Sequence, residues 1–232
     1  MKISLTTLFF ILFLLFLGFD ETLSEGTKQA SITAITSAWD FGYVPMDYKL
    51  IHFYKIRNDG DAELQITKLV PNCDCTSAHV GRKSLPPDSV TEVKIIFETK
   101  DYYGPNTRNI TVHTNDPARP TIALQYSSNI GLFPKLYRTE PNSLFFLPGH
   151  KSKEVRLIND SDSDIQFSLD LEQDSLFVVN KSQGIIAPGS LIILTVMPRE
   201  NMPKGTHYSN FTVAFKGKQE VRLTVPVKIV RY

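Results

Sequence analysis

The chain reads as all-β, two antiparallel β-sandwiches in tandem, and three observations predict it. After residue 30 the apolar residues alternate with polar ones in short runs bounded by Asn, Asp, Gly or Pro. No window offers an amphipathic helix of ten or more residues. The second half then replays the first at a constant spacing.

The elements follow in order. Leu50, His52, Tyr54 and Ile56 share one face of a strand; Leu64 and Ile66 begin another. Val93, Ile95 and Phe97 line a third, Ile110 and Val112 a fourth, and Ile122, Leu124 and Tyr126 a fifth. β-branched and aromatic residues fill the runs while Pro is confined to connections, as an antiparallel sandwich requires. Asn58-Asp-Gly-Asp61 and Asn159-Asp-Ser-Asp162 read as turns closing a hairpin onto the strands that start near Leu64 and Ile165. Leu85-Pro-Pro-Asp88 and Ala187-Pro-Gly-Ser190 read as tight connections into a long inner strand. Asn115-Asp-Pro117 and Lys216-Gly-Lys218 read as turns before the last strand of each half. That final strand, Val221 to Ile229, places Val221, Leu223, Val225, Val227 and Ile229 on one face.

The repeat is exact over separated landmarks. Ile56 to Ile66 answers Leu157 to Phe167, Pro87 answers Pro188, and Ile110-Thr-Val112 answers Phe211-Thr-Val213, each at an offset of 101 residues. The expected organisation is one sandwich over 31–130 and a second over 136–232. The intervening Phe133, Leu136 and Tyr137 are expected to pack the two together. The second sandwich contains no Cys, so its stability owes nothing to a disulfide.

Met1 and Lys2 precede an apolar run, Leu5 to Phe19, whose centre from Leu8 to Leu17 is entirely Leu, Ile and Phe. It is shorter than the roughly 20 residues of a bilayer span and suits the core of a signal peptide. Residues 1–24 are therefore expected to be a signal peptide or an N-terminal anchor, with membrane contact only through that segment if it stays uncleaved. The formal net charge is +1 and neither half carries a charge excess large enough to gather nucleic acid.

Four segments of the first half carry a family resemblance: Trp39-Asp-Phe-Gly-Tyr-Val-Pro45, Ile56 to Thr67, Pro71-Asn-Cys-Asp-Cys-Thr76 and Thr114-Asn-Asp-Pro117. Their order and spacing resemble the bacterial family called domain of unknown function 1573, found in envelope proteins of Bacteroidota and Planctomycetota. Asp74 stands where that pattern usually has Gly. The resemblance implies an immunoglobulin-like fold and export to the periplasm or cell envelope of a Gram-negative bacterium, and it implies no reaction. The second half looks like a diverged copy without the Cys pair.

Cys73 and Cys75 are the reactive candidates, and three readings stand open: a disulfide across one residue, a Cu(I) or Zn site drawing on His79, His113 or His52, and thiols that merely cap the sandwich end. Tyr48, Tyr102 and Tyr103 are candidate interaction residues, as is one member of the pair Phe145-Phe146, because adjacent strand positions point to opposite faces. No catalytic triad, carboxylate pair, cofactor loop or four-ligand metal set is discernible. The expected function is a non-enzymatic structural or interaction module with an envelope protein as partner. A glycan- or polymer-binding accessory role, or metal or redox handling at Cys73 and Cys75, is the alternative.

Overall fold

The computed structural model describes residues 27–172 and 176–232, and their regular structure is entirely β-strand. The expected signal or anchor at residues 1–24 lies outside the described residues.

The first half contributes nine strands: β1 (Ile32–Ala34), β2 (Ala38–Val44), β3 (Lys49–Asn58), β4 (Leu64–Pro71), β5 (Thr76–Val80), β6 (Ser84–Leu85), β7 (Val90–Glu98), β8 (Gly104–Thr114) and β9 (Thr121–Ile130). The second contributes β10 (Tyr137–Glu140), β11 (Leu144–Phe146), β12 (Lys153–Asn159), β13 (Ile165–Leu171), β14 (Phe177–Val179), β15 (Gln183–Ile186), β16 (Ser190–Pro198), β17 (Gly205–Lys216) and β18 (Glu220–Arg231). Two four-stranded sheets form, in the orders β1-β3-β7-β5 and β10-β12-β16-β14. The third sheet has ten strands. It runs β15-β13-β17-β18-β2-β9-β8-β4-β6, with β11 also on β18, and crosses from one half to the other where Leu223 of β18 pairs with Tyr43 of β2.

The alternation that predicts strands also builds the cores. On β7, Val93, Ile95 and Phe97 are fully buried while Glu92 and Lys94 between them are half-buried. One hydrophobic cluster spans residues 30–130, and it is filled from both the first four-stranded sheet and the long sheet. A separate cluster spans residues 137–229 in the same manner. Leu85-Pro-Pro and Ala187-Pro-Gly do feed inner strands, β7 and β16, and the two late turns join β8 to β9 and β17 to β18.

Four expectations are corrected. The Asn58 and Asn159 turns close no hairpin: β3 pairs with β1 and β7 whereas β4 pairs with β6 and β8, and β12 and β13 likewise join different sheets. Each turn is an arch between layers, held by its Asn. Asn58 Nδ2 donates to the carbonyls of Ala62 (2.8 Å) and Leu85 (2.9 Å), and Asn159 Nδ2 to those of Ser163 (2.8 Å) and Ile186 (2.9 Å). Tyr102 and Tyr103 lie in the connection between β7 and β8, not in a strand. Phe133 and Leu136 of the linker stay half exposed, so the halves are joined elsewhere. Finally, β18 is buried on both faces at mid-strand: Thr224 and Pro226 are covered along with Leu223, Val225 and Val227.

Candidate functional sites at the junction and at the disulfide

The junction is built by β2 and β3 of the first half against β17 and β18 of the second. Its centre is polar and satisfied. Asn210 Oδ1 accepts the Ile51 N–H at 2.6 Å, and the Thr224 hydroxyl donates to Phe41 O at 2.6 Å while lying 2.7 Å from Thr212 Oγ1. Gly42, at φ +66°, lets β18 approach so closely that a Cβ there would fall 2.0 Å from Arg222 O. Around this centre Arg222 donates from Nε to Asp40 O (2.8 Å) and from Nη2 to Asp170 Oδ2 (2.8 Å), and its guanidinium sits 4.6 Å over Trp39. Trp39 stacks on His52 with ring centroids 4.2 Å apart, and His52 Nδ1 meets Glu172 Oε1 at 2.8 Å in a nearly buried pair. Low-dielectric hydrogen bonds with defined geometry set the relative position of the two halves more firmly than apolar contact alone.

Beside this network β18 loses its neighbour. β2 pairs with it at Leu223 and β11 at Val227, Lys228 and Ile229, so a cleft of about 500 Å³ opens at Pro226 between the two attachments. Tyr48, Lys49, Phe145, Tyr208 and Lys228 line it. Tyr48 is fixed there by its hydroxyl, 2.7 Å from Ser143 Oγ across the junction. Phe145 is 45% exposed while Phe146 beside it is core. The Lys228 ammonium lies over the Phe145 ring (5.2 Å) and near that of Tyr208 (5.9 Å), and Lys49 lies over Tyr208 (5.4 Å) while pairing with Glu98 (2.7 Å). Among the described residues Lys228 meets rings and no carboxylate. Tyr103, 69% exposed, reaches the rim of the same region, since its ring and Met46 both close on Gly131.

The second place is the corner where β4 passes to β5. Cys73 and Cys75 are joined as a disulfide with Cα atoms 5.2 Å apart, both half-buried, with Asp74 exposed between them. Thr76 Oγ1 touches both sulfurs, 3.5 Å from Cys73 Sγ and 3.7 Å from Cys75 Sγ, and is hydrogen-bonded to the Tyr126 hydroxyl of the opposite sheet. Burial pushes the Tyr126 phenol up to about 12, against the opposing pull of Thr76 and of the Arg108 cation, so it stays a neutral hydroxyl at physiological pH. Arg108 is the cross-strand partner of Tyr126 and lies 5.4 Å over the ring of Tyr102. Tyr102 therefore belongs with the disulfide corner, while Tyr48 and Tyr103 belong with the junction cleft.

The metal ligand set drawn from the sequence does not assemble. His52 is turned to Glu172, His79 is exposed on β5, and His113 lies on β8 opposite Thr121. Among the described residues no group of three or more His, Cys, Asp or Glu could hold a metal ion. Lys49, Tyr208 and Lys228 are functional candidates that sequence reasoning missed; each reads there as an ordinary outward strand position, and only the packing of two halves brings them together.

Comparison with known proteins bears on the first half. The family model described as "Protein of unknown function (DUF1573)" matches residues 32–130. No curated protein matches the chain. Three solved structures are among those with partial structural similarity to the chain. The periplasmic chaperone SfaE is 12% identical with a TM-score of 0.34, covering 87% of this chain and 100% of its own. A protein of unknown function from Porphyromonas gingivalis W83 is 10% identical with a TM-score of 0.32, covering 85% and 99%. SSP-19, an MSP-domain protein from Caenorhabditis elegans, is 11% identical with a TM-score of 0.35, covering 40% and 98%.

Proposed function

We propose that this chain is an exported, non-enzymatic interaction module of the cell envelope. Two immunoglobulin-like sandwiches, over 31–130 and 136–232, are held in one relative position and present the junction cleft to an extended segment of an envelope protein. The observation that carries this reading is the cleft itself: aromatic walls from both halves, with the Lys228 ammonium over two rings and, among the described residues, no carboxylate paired to it. A cation desolvated against rings is poised for an anion, and rings on either side favour an apolar neighbour. The occupant is therefore an extended peptide with a carboxylate next to an aliphatic or aromatic side chain. Backbone pairing does not drive it at the centre, because Pro226 offers no N–H. Rigid, preformed aromatic sites lose little entropy on binding, which suits docking rather than turnover.

The test is fluorescence anisotropy of the full chain against a panel of labelled extended peptides that differ only in the acidic and apolar positions. Binding by the acidic–apolar peptides, weakened at least about tenfold by Lys228→Glu and weakened by salt, is expected. Equal binding of neutral peptides, or binding indifferent to Lys228→Glu, overturns the reading.

A further inference from the structure

The disulfide corner has a geometry that the junction cleft does not explain. A disulfide gains structural value from the length of chain it closes, and the shortest loops gain least. Cys73 and Cys75 close a loop over a single residue, at the edge of a core cluster whose fully buried members include neither of them. Its surroundings instead fit exchange. Both cysteines are half-buried, with exposed Asp74 between them, and Cys75 packs against the core. One hydroxyl touches both sulfurs. The Tyr126 O–H can donate to Thr76 Oγ1, which leaves the single Thr76 proton free to point at sulfur. The Arg108 guanidinium, cross-strand from Tyr126, adds positive charge on the same side.

We propose that Cys73–Cys75 is a thiol–disulfide exchange site whose substrate is the dithiol of another exported protein. The substrate thiolate attacks Cys73 Sγ; a mixed disulfide forms as the Cys73–Cys75 bond breaks, and Cys75 leaves as a thiolate that accepts the Thr76 hydroxyl hydrogen bond. The second substrate thiolate then attacks the substrate sulfur of the mixed disulfide, and Cys73 leaves as a thiolate. The substrate loses two electrons and becomes a disulfide. The Cys pair gains them and ends as two thiols with the two protons the substrate released. Thr76 is a positioning residue in this step; it lowers the cost of the leaving thiolate as a hydrogen bond to any developing anion does. The equivalent place in the second half holds no such group: Phe177 stands at the Thr76 position and Val227 at that of Tyr126, both buried.

The experiment mixes the oxidised full chain, under native conditions, with a reduced two-cysteine peptide. Peptide disulfide and protein thiols are followed together by alkylation and mass spectrometry. Stoichiometric peptide oxidation is expected. Thr76→Val should slow it at least tenfold, Thr76→Ser should restore it, and both variants should keep wild-type near-ultraviolet circular dichroism. Arg108→Gln, which leaves the hydroxyl pair intact, should slow it less and serves if Thr76→Val fails to fold. A disulfide that reacts only after denaturant is added overturns the proposal. So does one that reacts at the same rate in the wild type and in every folded variant, which would mark an ordinary surface disulfide. Neither outcome touches the junction cleft, whose peptides carry no thiol.

Discussion

The two halves of this molecule keep one frame and fill it differently. The frame repeats at the long inner pairings, though the first strand of each half and the bulge in β4 depart from it. Thr76 pairs with Phe97 and Phe177 with Pro198, Arg108 with Tyr126 and Ser209 with Val227, all displaced by the same 101 positions. The Asn arches repeat with the same partners, four and 27 residues on. The fillings diverge where something is exposed or covered. Thr76 and Tyr126 make a hydroxyl pair under a disulfide; Phe177 and Val227 make plain core, with Phe177 edge-on to Phe211 at 5.8 Å. Asn109 sits half-buried on the outside, whereas Asn210 is buried at the junction and binds Ile51 N–H. Repeated residues thus mark the frame, and these departures from the repeat fall at the junction and at the disulfide corner.

The comparison breaks most sharply at the junction. Gly42→Ala puts a Cβ against the Arg222 carbonyl at a positive φ, and neither backbone has room to yield. The expected cost is about 3 kcal/mol or more. In urea the single transition should split as the halves come apart. A single unshifted transition would show that β18 does not need this approach.

The arches come next, and they test whether the frame is equivalent in energy as well as in geometry. Asn58→Ala strips the Ala62 and Leu85 carbonyls of their donor, and Asn159→Ala does so for Ser163, Ile186 and also Ala187. Each buried acceptor left unpaired costs about 1–3 kcal/mol. Both variants should therefore lose about 3 kcal/mol by chemical denaturation. A large loss from one and none from the other would mean the repeat is geometric only.

How far the sequence could be read follows from the same contrast. Strand existence was legible, because Val93, Ile95 and Phe97 alternate with polar residues whatever they pack on. The arches were legible as turns but not as arches: Asn-Asp-Gly fixes where the chain bends, while the sheet it enters next depends on contacts far away in sequence. The buried polar face of β17 and β18 was not legible. Asn210, Thr212 and Thr224 occupy positions that alternation assigns to solvent, and only docking of the other half covers them. Tyr48 could be singled out as an outward candidate interaction residue, but Tyr208 and Lys228 share its cleft through pairing across halves that no local pattern encodes. Cys73 and Cys75 were legible as a reactive pair; the Thr76–Tyr126 support beneath them was not, since its members lie 50 residues apart on different sheets.

Acid should separate the halves by a different route. Asp116, buried beside the first arch, accepts the backbone N–H groups of Ile32 (2.8 Å), Ala118 (2.8 Å) and Arg119 (3.0 Å). Burial raises its carboxyl, but these donors and the Arg119 cation together outweigh that and hold it below the ordinary value. The second half has Gly217 at the matching position. A carboxyl depressed on folding contributes fully above the unfolded value, roughly pH 4, and its contribution disappears as pH falls through the folded value. Asp116→Asn should cost about 2 kcal/mol at pH 7. The gap between mutant and wild type should close below roughly pH 4 in urea titrations run across pH. A gap that stays constant with pH would assign the effect to shape and not to charge.

The smallest expected change is the one that sharpens the comparison most. Replacing Cys73 and Cys75 together by Ser removes a cross-link that the second half never had, so a structural bond and an exchange site predict different losses. The loop closed is so short that chain entropy assigns the bond only about 1–2 kcal/mol. Thr76 and Tyr126 remain to tie the two sheets at that corner. The double variant should therefore unfold within about 2 kcal/mol of the wild type, with its junction and peptide binding intact, because the cleft lies against β11 and β18 and draws nothing from β5. A loss well above that, with loosening of β5 seen by hydrogen exchange, would make the disulfide a structural staple that the first half needs and the second replaced with Phe177. A loss within it leaves a bond that contributes little to stability, over a hydroxyl that touches both sulfurs, and the exchange rates of the Thr76 variants then separate an exchange site from an ordinary surface disulfide.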